Sequence, residues 1–355
     1  MAEGEIVETK IIGPHELSLA VELLQAGEVV AIPTETVYGL GANGLDEEAI
    51  NKIYIAKGRP SDNPLILHVP SRAAITPLVS HVNNLEEQLM QAFWPGPLTI
   101  TFPKSDIVPK RATGGLSRVA LRCPDFPLCL DLLEQVGLPI AAPSANVSGK
   151  PSPTNSSAVK HDMDGRIAGI VDVPACPIGV ESTVVECTED SITILRPGGI
   201  TREMLLTICD NVVYDKVLID AGAVPKAPGM KYTHYAPQGE VTTVVGDTAR
   251  VAEYIVKTSG QAYMGLIISE EVRGLLTFME RLDTGLAAWL STCHIQVYGK
   301  SDDLASLAHA LYESLLRCDT ARCKSIIVQG CPTKGLGVAI MNRLEKASAG
   351  RIVEV

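Results

Sequence analysis

The segment from Asp220 to Gly239 constrains the fold more than any other part of this 355-residue sequence. Its three prolines and three glycines interrupt the backbone hydrogen bonding that a helix or a strand requires. A linker therefore divides the chain, as expected for a length that exceeds one ordinary hydrophobic core. We predict a first domain over residues 1–215, a linker over 216–239 and a second domain over 240–355.

The first domain alternates helix and strand patterns. An apolar stripe predicts a helix over residues 14–26, and a second helix is predicted from an Asp46 cap to Lys57, followed by Gly58. Strand patterns occupy the remaining segments, and together they predict a large α/β sheet domain. The predicted strands are Glu28–Ile32, Leu65–Val69, Leu98–Phe102, Val119–Leu121, Pro139–Ala142, Ile167–Val173, Thr183–Cys187 and Ile192–Leu195.

The second domain shows a shorter alternation of the same kind. In its middle helix, leucines recur on one side, as expected for packing against a parallel sheet. A small Rossmann-like α/β/α layer is predicted. Its strands are Val241–Val245, Tyr263–Ile268, Ile295–Tyr298 and Ser325–Gln329, and its helices are Asp247–Lys257, Ser301–Arg317 and Leu336–Ala347.

Charge and cysteine content exclude several classes of protein. A formal charge of −11 argues against a general nucleic-acid coat, which needs clustered Lys and Arg. No uncharged apolar run approaches about 18 residues, and the acidic N-terminus does not resemble a secretion signal, so we expect a cytoplasmic protein without a membrane span. The nine cysteines are scattered without a C-x-x-C pair, which favours reduced thiols; no zinc-site spacing is present.

Two basic tracts nevertheless stand out in this acidic chain. The only charged residues between Ala49 and Ser61, and again between Ile107 and Pro124, are Lys or Arg, which suggests a concave site for a small polyanion; a solvated surface is the alternative. A P-loop is excluded because His294 stands where its first glycine belongs before Gly299. The Gly335-Leu-Gly pair lacks the third glycine of a dinucleotide fingerprint.

Turn-rich motifs of the first domain carry the strongest functional indication. Pro33–Gly41, Lys57–Leu65 and Ser144–Thr154 combine hydroxyls, glycines and cations, which suit close approach to phosphate groups. Each motif alone is compatible with an ordinary turn. Together with Trp94-Pro-Gly-Pro-Leu-Thr, Glu181-Ser-Thr-Val-Val and Arg196-Pro-Gly-Gly, they resemble the YrdC family of threonylcarbamoyl-AMP synthases.

The linker also resembles the long, two-domain form of that family through Ala227-Pro-Gly-Met-Lys-Tyr-Thr-His-Tyr-Ala-Pro. The resemblance implies a YrdC-like twisted mixed sheet with helices. It also implies the reaction of L-threonine, bicarbonate and ATP to threonylcarbamoyl-AMP and diphosphate. A separate machinery then transfers the group to tRNA, which the enzyme meets only indirectly. Mg²⁺ is expected on the phosphates, with no protein ligand named, because this ion favours few protein ligands.

The family's site residues carry over by motif. The resemblance implies that threonine and carbamate contacts come from Thr36, His68, Arg122, Ala142 and Ser182. It implies that ATP contacts come from Arg59, Asn63, Arg118, Ser144, Ser152, Arg196 and, from the linker, Tyr235. Lys57, Arg59 and Arg196 are expected to neutralise the triphosphate during attack on the α-phosphorus.

Three alternatives remain at this point. A non-catalytic RNA-binding module of the same fold is disfavoured by the overall acidity and the absence of aromatic clusters. A carbamoyltransferase-type protein of hydrogenase maturation is disfavoured because its cysteine-rich zinc modules are missing. ATP-dependent activation of another amino acid is compatible with these side chains.

Overall fold

The computed structural model describes residues 7–216 and 235–355 of the chain. These residues form two compact units. Among them, the first unit comprises residues 7–148 and 152–216, and the second comprises 149–151 and 235–355. The predicted domain boundaries remain predictions, and most of the predicted linker, residues 217–234, lies outside the described residues.

The first unit is built from strands β1–β11 and helices α1–α7. The strands are β1 Lys10–Ile12, β2 Val30–Ile32, β3 Gly39–Asn43, β4 Ile66–His68, β5 Leu98–Pro103, β6 Arg118–Arg122, β7 Ile140–Ala141, β8 Gly169–Val171, β9 Thr183–Cys187, β10 Ile192–Arg196 and β11 Val212–Tyr214. The helices are α1 Leu17–Gln25, α2 Glu47–Lys57, α3 Asn84–Phe93, α4 Lys110–Thr113, α5 Pro127–Val136, α6 Ser156–Met163 and α7 Arg202–Leu205.

These strands form one mixed sheet in the order β1-β8-β2-β3-β7-β4-β6-β5-β9-β10-β11. The central β4 pairs parallel with β6 and antiparallel with β7, and β5 pairs antiparallel with β6 and parallel with β9. Buried aliphatic side chains of α1 and α5 pack together in one apolar cluster, while α2, α3 and α6 contribute to a larger one. The mixed α/β fold expected from the resemblance is confirmed.

The local predictions for the first unit are confirmed in kind, with shifts of a few residues at the ends. Asp46 caps α2 by accepting a hydrogen bond from Glu48 N, and Gly58 follows the helix in a left-handed conformation with φ 60°. Strand β3 was predicted only as a turn-rich segment. Its glycines have low strand propensity, but they allow the close packing against β7 that holds the strand in place.

The second unit contains a parallel sheet in the order β14-β13-β15-β12-β16. Its strands are β12 Glu240–Val245, β13 Met264–Ile268, β14 His294–Val297, β15 Ser325–Gln329 and β16 Ile352–Glu354. Its helices are α8 Thr248–Lys257, α9 Glu270–Glu280, α10 Thr284–Leu290, α11 Leu304–Thr320 and α12 Leu336–Ala347. The Rossmann-like layer predicted from the sequence is confirmed, and α9, α10 and β16 add to it.

All nine cysteines lie in the described residues, and all are free thiols. Seven are buried, while Cys209 in the first unit and Cys293 in the second are half-buried. Burial raises the pKa of the Cys123 and Cys293 thiols to about 11. Within residues 7–216 and 235–355, none of the helices has both the length and the apolar character that crossing a membrane requires.

Candidate functional site

The sheet register brings several motif residues of the first unit side by side. His68 at the end of β4 lies opposite Arg122 at the end of β6. Ala142 directly follows β7, and its backbone N donates to Ile66 O at 2.9 Å. A Cβ atom on Gly39 would lie 3.0 Å from the Ala142 Cβ, so glycine keeps the hairpin close to this strand. The predicted residues Thr36, His68, Arg122 and Ala142 therefore come from adjoining strand ends.

The turn after β2 is fixed by the loop that leads to Ser182. Ile178 N donates to Glu35 O at 2.9 Å, and Gly179 N donates to Thr36 O at 3.1 Å. Thr36 is fully buried, and its hydroxyl lies 2.8 Å from that of Thr34. Thr36 is thus hydrogen-bonded to Gly179, which precedes Ser182 by three residues in the sequence.

A buried ion pair joins this turn to β6. Arg122 Nη2 lies 2.6 Å from Glu35 Oε2, and each side chain is only 5% exposed. Arg122 Nε also donates to Gly96 O at 3.4 Å. Burial first, and then the neighbouring Arg122, lower the pKa of His68 to about 3. His68 is therefore a neutral ring at physiological pH, and it contacts Ile66 O through Nδ1 at 3.3 Å.

Ser182 and Arg196 form a second buried group. Arg196 Nε and Nη2 donate to Ser182 O at 3.1 and 2.9 Å, and Nη2 also donates to Ser182 Oγ at 3.1 Å. The Ser182 hydroxyl lies 2.8 Å from Thr99 Oγ1 on β5. A Cβ atom on Gly198 would lie 2.3 Å from Glu181 O, so the Arg-Pro-Gly-Gly turn rests directly on the backbone of Ser182.

Lys57 is buried at the end of α2, where its Nζ donates to Ser144 O and, at 2.6 Å, to Asn146 O. Burial first, and then the charge of Arg59, hold the pKa of Lys57 well below its usual value. Lys57 thus fixes the loop after β7. The sequence predicts that Lys57 is a cation beside phosphate. The observed contacts show in addition that Lys57 holds two backbone carbonyls of this loop. Replacing Lys57 will therefore affect the fold.

Arg59 follows Gly58 and wraps the next turn. Its Nη2 donates to Pro64 O at 3.0 Å, and its Nε donates to Asn63 O at 3.4 Å. Asn63 is 3% exposed, and its Nδ2 has no hydrogen-bond partner in the described part of the chain. A buried amide donor of this kind is costly unless a ligand or water accepts from it.

The loop after β7 contributes Ser144 and Ser152. Ser144 bridges to Gly39, and the buried Ser152 Oγ donates to Glu181 Oε1 at 2.6 Å. Pro153 O accepts from Tyr38 N at 2.9 Å. These contacts connect the loop to the Thr36 turn and to the segment before Ser182. The Thr36 turn, the loop after β7 and the segment that leads to Ser182 are therefore linked by hydrogen bonds.

Arg118 differs from the other predicted residues in its partners. It lies 3.2 Å from Glu86 and 3.3 Å from Glu186, so its guanidinium is engaged by two carboxylates. The same side chain lines a cavity of about 210 Å³ together with Pro64 and Leu65. Its contact with ATP remains a prediction. To make that contact, Arg118 must either leave Glu86 and Glu186 or bind ATP in addition to them.

Tyr235 belongs to the second unit among the described residues. Its buried ring stacks on Tyr312 with a centroid distance of 5.3 Å, and the Arg343 guanidinium lies 5.7 Å from the ring centre. The predicted covering of a nucleotide by Tyr235 is untested by this arrangement.

Four buried residues that contact the predicted site residues were not among those predicted from the sequence. Glu35 and Glu181 are next to the predicted residues Thr36 and Ser182 in the sequence. In the structure Glu35 forms an ion pair with Arg122, and Glu181 accepts a hydrogen bond from Ser152. Thr34 and Thr99 lie inside the Pro33–Gly41 and Trp94-Pro-Gly-Pro-Leu-Thr motifs, but nothing in those motifs indicates that their hydroxyls contact Thr36 and Ser182. In residues 7–216 and 235–355, no group of three or more His, Cys, Asp or Glu side chains is placed to hold a metal ion.

Comparisons with known proteins agree along nearly the whole chain. Residues 22–198 match a family model for Sua5, YciO and YrdC proteins described as telomere recombination. Residues 200–349 match a model described as the C-terminal domain of threonylcarbamoyl-AMP synthase.

Individual relatives cover both domains. Threonylcarbamoyl-AMP synthase of Bacillus subtilis is 45% identical over 95% of this chain and 94% of its own length. The Pyrococcus abyssi protein of the same name is 41% identical over 96% of both chains. The crystal structure of P. abyssi Sua5 complexed with L-threonine matches with a TM-score of 0.85 and 38% identity, covering 98% of this chain and 100% of that one. The chain therefore belongs to the threonylcarbamoyl-AMP synthase family, in its long, two-domain form.

Proposed function

We propose that the buried polar network of the first unit is the active site of an L-threonylcarbamoyladenylate synthase. The reaction joins L-threonine, bicarbonate and ATP to give threonylcarbamoyl-AMP and diphosphate, which makes the enzyme a nucleotidyltransferase. The observation that carries this proposal is the contiguity of the Thr36 turn, Arg122, Ser182, Arg196 and Lys57 within one network. Family membership favours catalysis over a non-catalytic RNA-binding role.

The amino-acid half of the site is proposed to lie at the ends of β4, β6 and β7. Arg122 is suited to a substrate carboxylate, because a guanidinium can hold two carboxylate oxygens at once. Gly96 O accepts from Nε of Arg122, and Nη2 forms an ion pair with Glu35 but makes no hydrogen bond within the described residues. That P. abyssi Sua5 was crystallised with L-threonine supports this choice of amino acid. The proposed contacts are Thr36, His68, Arg122, Ala142 and Ser182.

The nucleotide half is proposed to lie along the turns after α2, β7 and β10. Asn63 Nδ2 offers an unpaired buried donor there, and Arg59 and Arg196 supply positive charge. In the proposed step a carbamate oxygen attacks the α-phosphorus of ATP and diphosphate leaves. Charge neutralisation and positioning do most of the work in such transfers. The proposed ATP contacts are Arg59, Asn63, Arg118, Ser144, Ser152, Arg196 and Tyr235, with Lys57, Arg59 and Arg196 catalytic.

Mg²⁺ is proposed as a companion of the ATP phosphates. Phosphate oxygens and waters fill most of the octahedral shell that this ion prefers, so few protein ligands are required. The labile product is proposed to pass to a separate machinery that acts on tRNA, in the cytoplasm where ATP and tRNA are available.

One assay tests the proposal directly. The purified chain is incubated with ATP, Mg²⁺, bicarbonate and single amino acids, and the acyl-adenylate and diphosphate are quantified by mass spectrometry. We expect product only with L-threonine and only when bicarbonate is present. Arg196→Ala is the matched control, because losing this cation removes transition-state charge stabilisation. Product formation that ignores the amino acid would refute the assignment.

A further inference from the structure

Four buried hydroxyl groups in the first unit form two pairs, Thr34 with Thr36 and Thr99 with Ser182. The oxygens of each pair lie 2.8 Å apart. All four residues are at most 1% exposed, so bulk water cannot satisfy them. A hydroxyl has one hydrogen to donate and two lone pairs to accept with. The remaining protein contacts decide which oxygen donates in the first pair, and in the second pair the direction depends on what a ligand offers to Ser182.

In the first pair the direction is fixed by Val37. Thr34 Oγ1 lies 2.7 Å from Val37 O, and a carbonyl oxygen can only accept, so Thr34 spends its single hydrogen there. Thr36 N also donates to Thr34 Oγ1, at 3.1 Å. Thr36 must then be the donor in the contact between the two hydroxyls. Its oxygen is left with lone pairs alone, so Thr36 can only accept from a ligand.

In the second pair Arg196 fixes part of the arrangement. Its Nη2 donates to Ser182 Oγ at 3.1 Å, because a guanidinium has no acceptor. Ser182 Oγ is the only hydrogen-bond partner of the Thr99 hydroxyl in residues 7–216 and 235–355. If Ser182 donated to Thr99, the hydrogen of a fully buried threonine would have no acceptor, which is unfavourable.

A ligand oxygen beside Ser182 resolves the second pair completely. Thr99 then donates to Ser182, Ser182 donates to the ligand, and every hydrogen has an acceptor. A hydroxyl that accepts two hydrogen bonds, one of them from a charged guanidinium, is also polarised into a better donor. Ser182 is thus set to face an acceptor, whereas Thr36 is set to face a donor.

We propose that Thr34 and Thr99 are positioning residues that give the two ligand-facing hydroxyls opposite polarity, Thr36 as acceptor and Ser182 as donor. That Thr36 and Ser182 face a ligand, and the identity of that ligand, both rest on the proposed function. An amino acid or its carbamate suits this arrangement, because it offers N–H or O–H groups to Thr36 and carboxylate or carbamate oxygens to Ser182. A ligand with only acceptors would meet the wrong polarity at Thr36.

Matched substitutions separate this role from packing. Valine keeps the shape of threonine and removes the hydroxyl, while serine keeps the hydroxyl and removes a methyl group. We therefore compare Thr34→Val with Thr34→Ser, and Thr99→Val with Thr99→Ser. L-threonine binding is measured by calorimetry, and KM and kcat by product mass spectrometry. The valine variants should raise the Kd and KM for L-threonine at least about tenfold, because Thr99→Val removes one buried hydrogen bond and Thr34→Val removes three, and the serine variants should raise them less than threefold.

The comparison of L-threonine affinity between the valine and the serine variant at each position decides the outcome. Serine variants that bind worse than valine variants would show that packing matters and would overturn the proposal, as would valine variants that bind like the wild type. Thermal unfolding checks that each variant is folded, and the two sites test the idea independently if one variant fails to fold. A wild-type chain that binds no amino acid would overturn the proposed function together with this inference. Wild-type binding with unaffected valine variants would overturn the inference alone.

Discussion

Arg122 and Glu35 form a buried ion pair in which each side chain balances the charge of the other. Each side chain alone would be an uncompensated charge in a site that is 95% shielded from solvent. Together they are neutral, and Nη2 of Arg122 makes no hydrogen bond within the described residues although it lies 2.6 Å from Glu35 Oε2. In the proposed site, a substrate carboxylate can bind Arg122 without breaking this ion pair.

Glu35→Gln tests this interpretation. The amide keeps the shape of the carboxylate but leaves Arg122 as a buried unpaired cation. We expect the free energy of unfolding to fall by about 3 kcal/mol in urea denaturation, and the KM for L-threonine to rise. The Glu35→Gln/Arg122→Gln double variant should lose less stability than the two single losses added together, because both charges are then gone. Strictly additive losses would contradict the coupling.

His68 makes stability depend on pH. Its folded pKa is about 3, compared with 6.5 for an ordinary histidine, because burial and Arg122 disfavour the cation. The unfolded chain binds a proton at this residue below pH 6.5, whereas the folded chain does not until about pH 3. This contribution to stability is therefore complete above pH 6.5 and is lost as the pH falls toward 3. The loss should approach about 1.4 kcal/mol per pH unit.

His68→Asn removes that titration. The wild type should lose more unfolding free energy than the variant between pH 6 and pH 4, as followed by urea denaturation at each pH. Parallel pH profiles for the two chains would show that His68 titrates normally.

Most motif residues could be identified from the sequence, because hydroxyls, glycines and cations cluster at strand ends. Thr99 belongs to one of these motifs, but its contact could not be predicted, since threonine is common inside strands and only the hydrogen bond to Ser182 distinguishes this one. The engagement of Arg118 by Glu86 and Glu186 is likewise invisible in sequence, because the three residues come from separate elements. Side-chain partners across a sheet depend on register, which a single sequence does not reveal.

At the scale of elements, two motif turns require glycine for different physical reasons. Gly58 ends α2 at φ 60°, and an added Cβ would meet nothing within 4 Å. Gly198 has no such backbone conformation, but an added Cβ would lie 2.3 Å from both Glu181 O and Thr183 N. Position 58 therefore requires glycine because of its left-handed backbone conformation, whereas position 198 requires glycine because there is no space for a side chain.

The two alanine variants should differ accordingly. Gly58→Ala should lower the free energy of unfolding by about 1 kcal/mol and change turnover little, because the strain is local. Gly198→Ala should reduce turnover more than a hundredfold, because the turn must move away from Ser182 and take Arg196 with it. Urea denaturation and the acyl-adenylate assay measure both variants. Equal losses of activity would refute the distinction.

Element boundaries were predictable where a cap or a glycine marks them, as for α2 and α12. Strand β3 was not, because Gly39 and Gly41 weaken its local preference and its stability comes from β2 and β7 on either side. Helices α3 and α5 also escaped prediction, although Asn83 caps α3 and Pro127 begins α5. Tertiary packing overrides weak local patterns in such segments.

For the whole molecule, the sequence predicted two α/β units, and the parallel sheet of the second unit follows from its strand and helix alternation. The order of the strands in the first sheet did not follow, because mixed pairing depends on long-range contacts. Tyr235 connects the predicted linker to the second unit through Tyr312 and Arg343. The predicted contact of Tyr235 with the nucleotide would therefore involve a residue of the second unit.

Tyr235→Ala should weaken ATP binding about tenfold if the linker covers the nucleotide, because one aromatic contact is lost. Tyr235→Phe is the matched control, since it keeps the ring, and it should bind ATP nearly as well as the wild type. Binding is measured by calorimetry with a non-hydrolysable ATP analogue. Unchanged affinity in Tyr235→Ala would exclude a lid role.

The withdrawal of most thiols from solvent leaves Cys209 and Cys293 as the two half-buried ones, one in each unit. A maleimide fluorophore should consequently attach at Cys209 first, because a pKa of about 11 leaves the Cys293 thiol almost fully protonated, while the seven buried thiols stay unmodified in the native chain. The unaltered protein thus carries its own attachment point for a fluorescent label in the first unit. Labelling at this position requires no introduced cysteine.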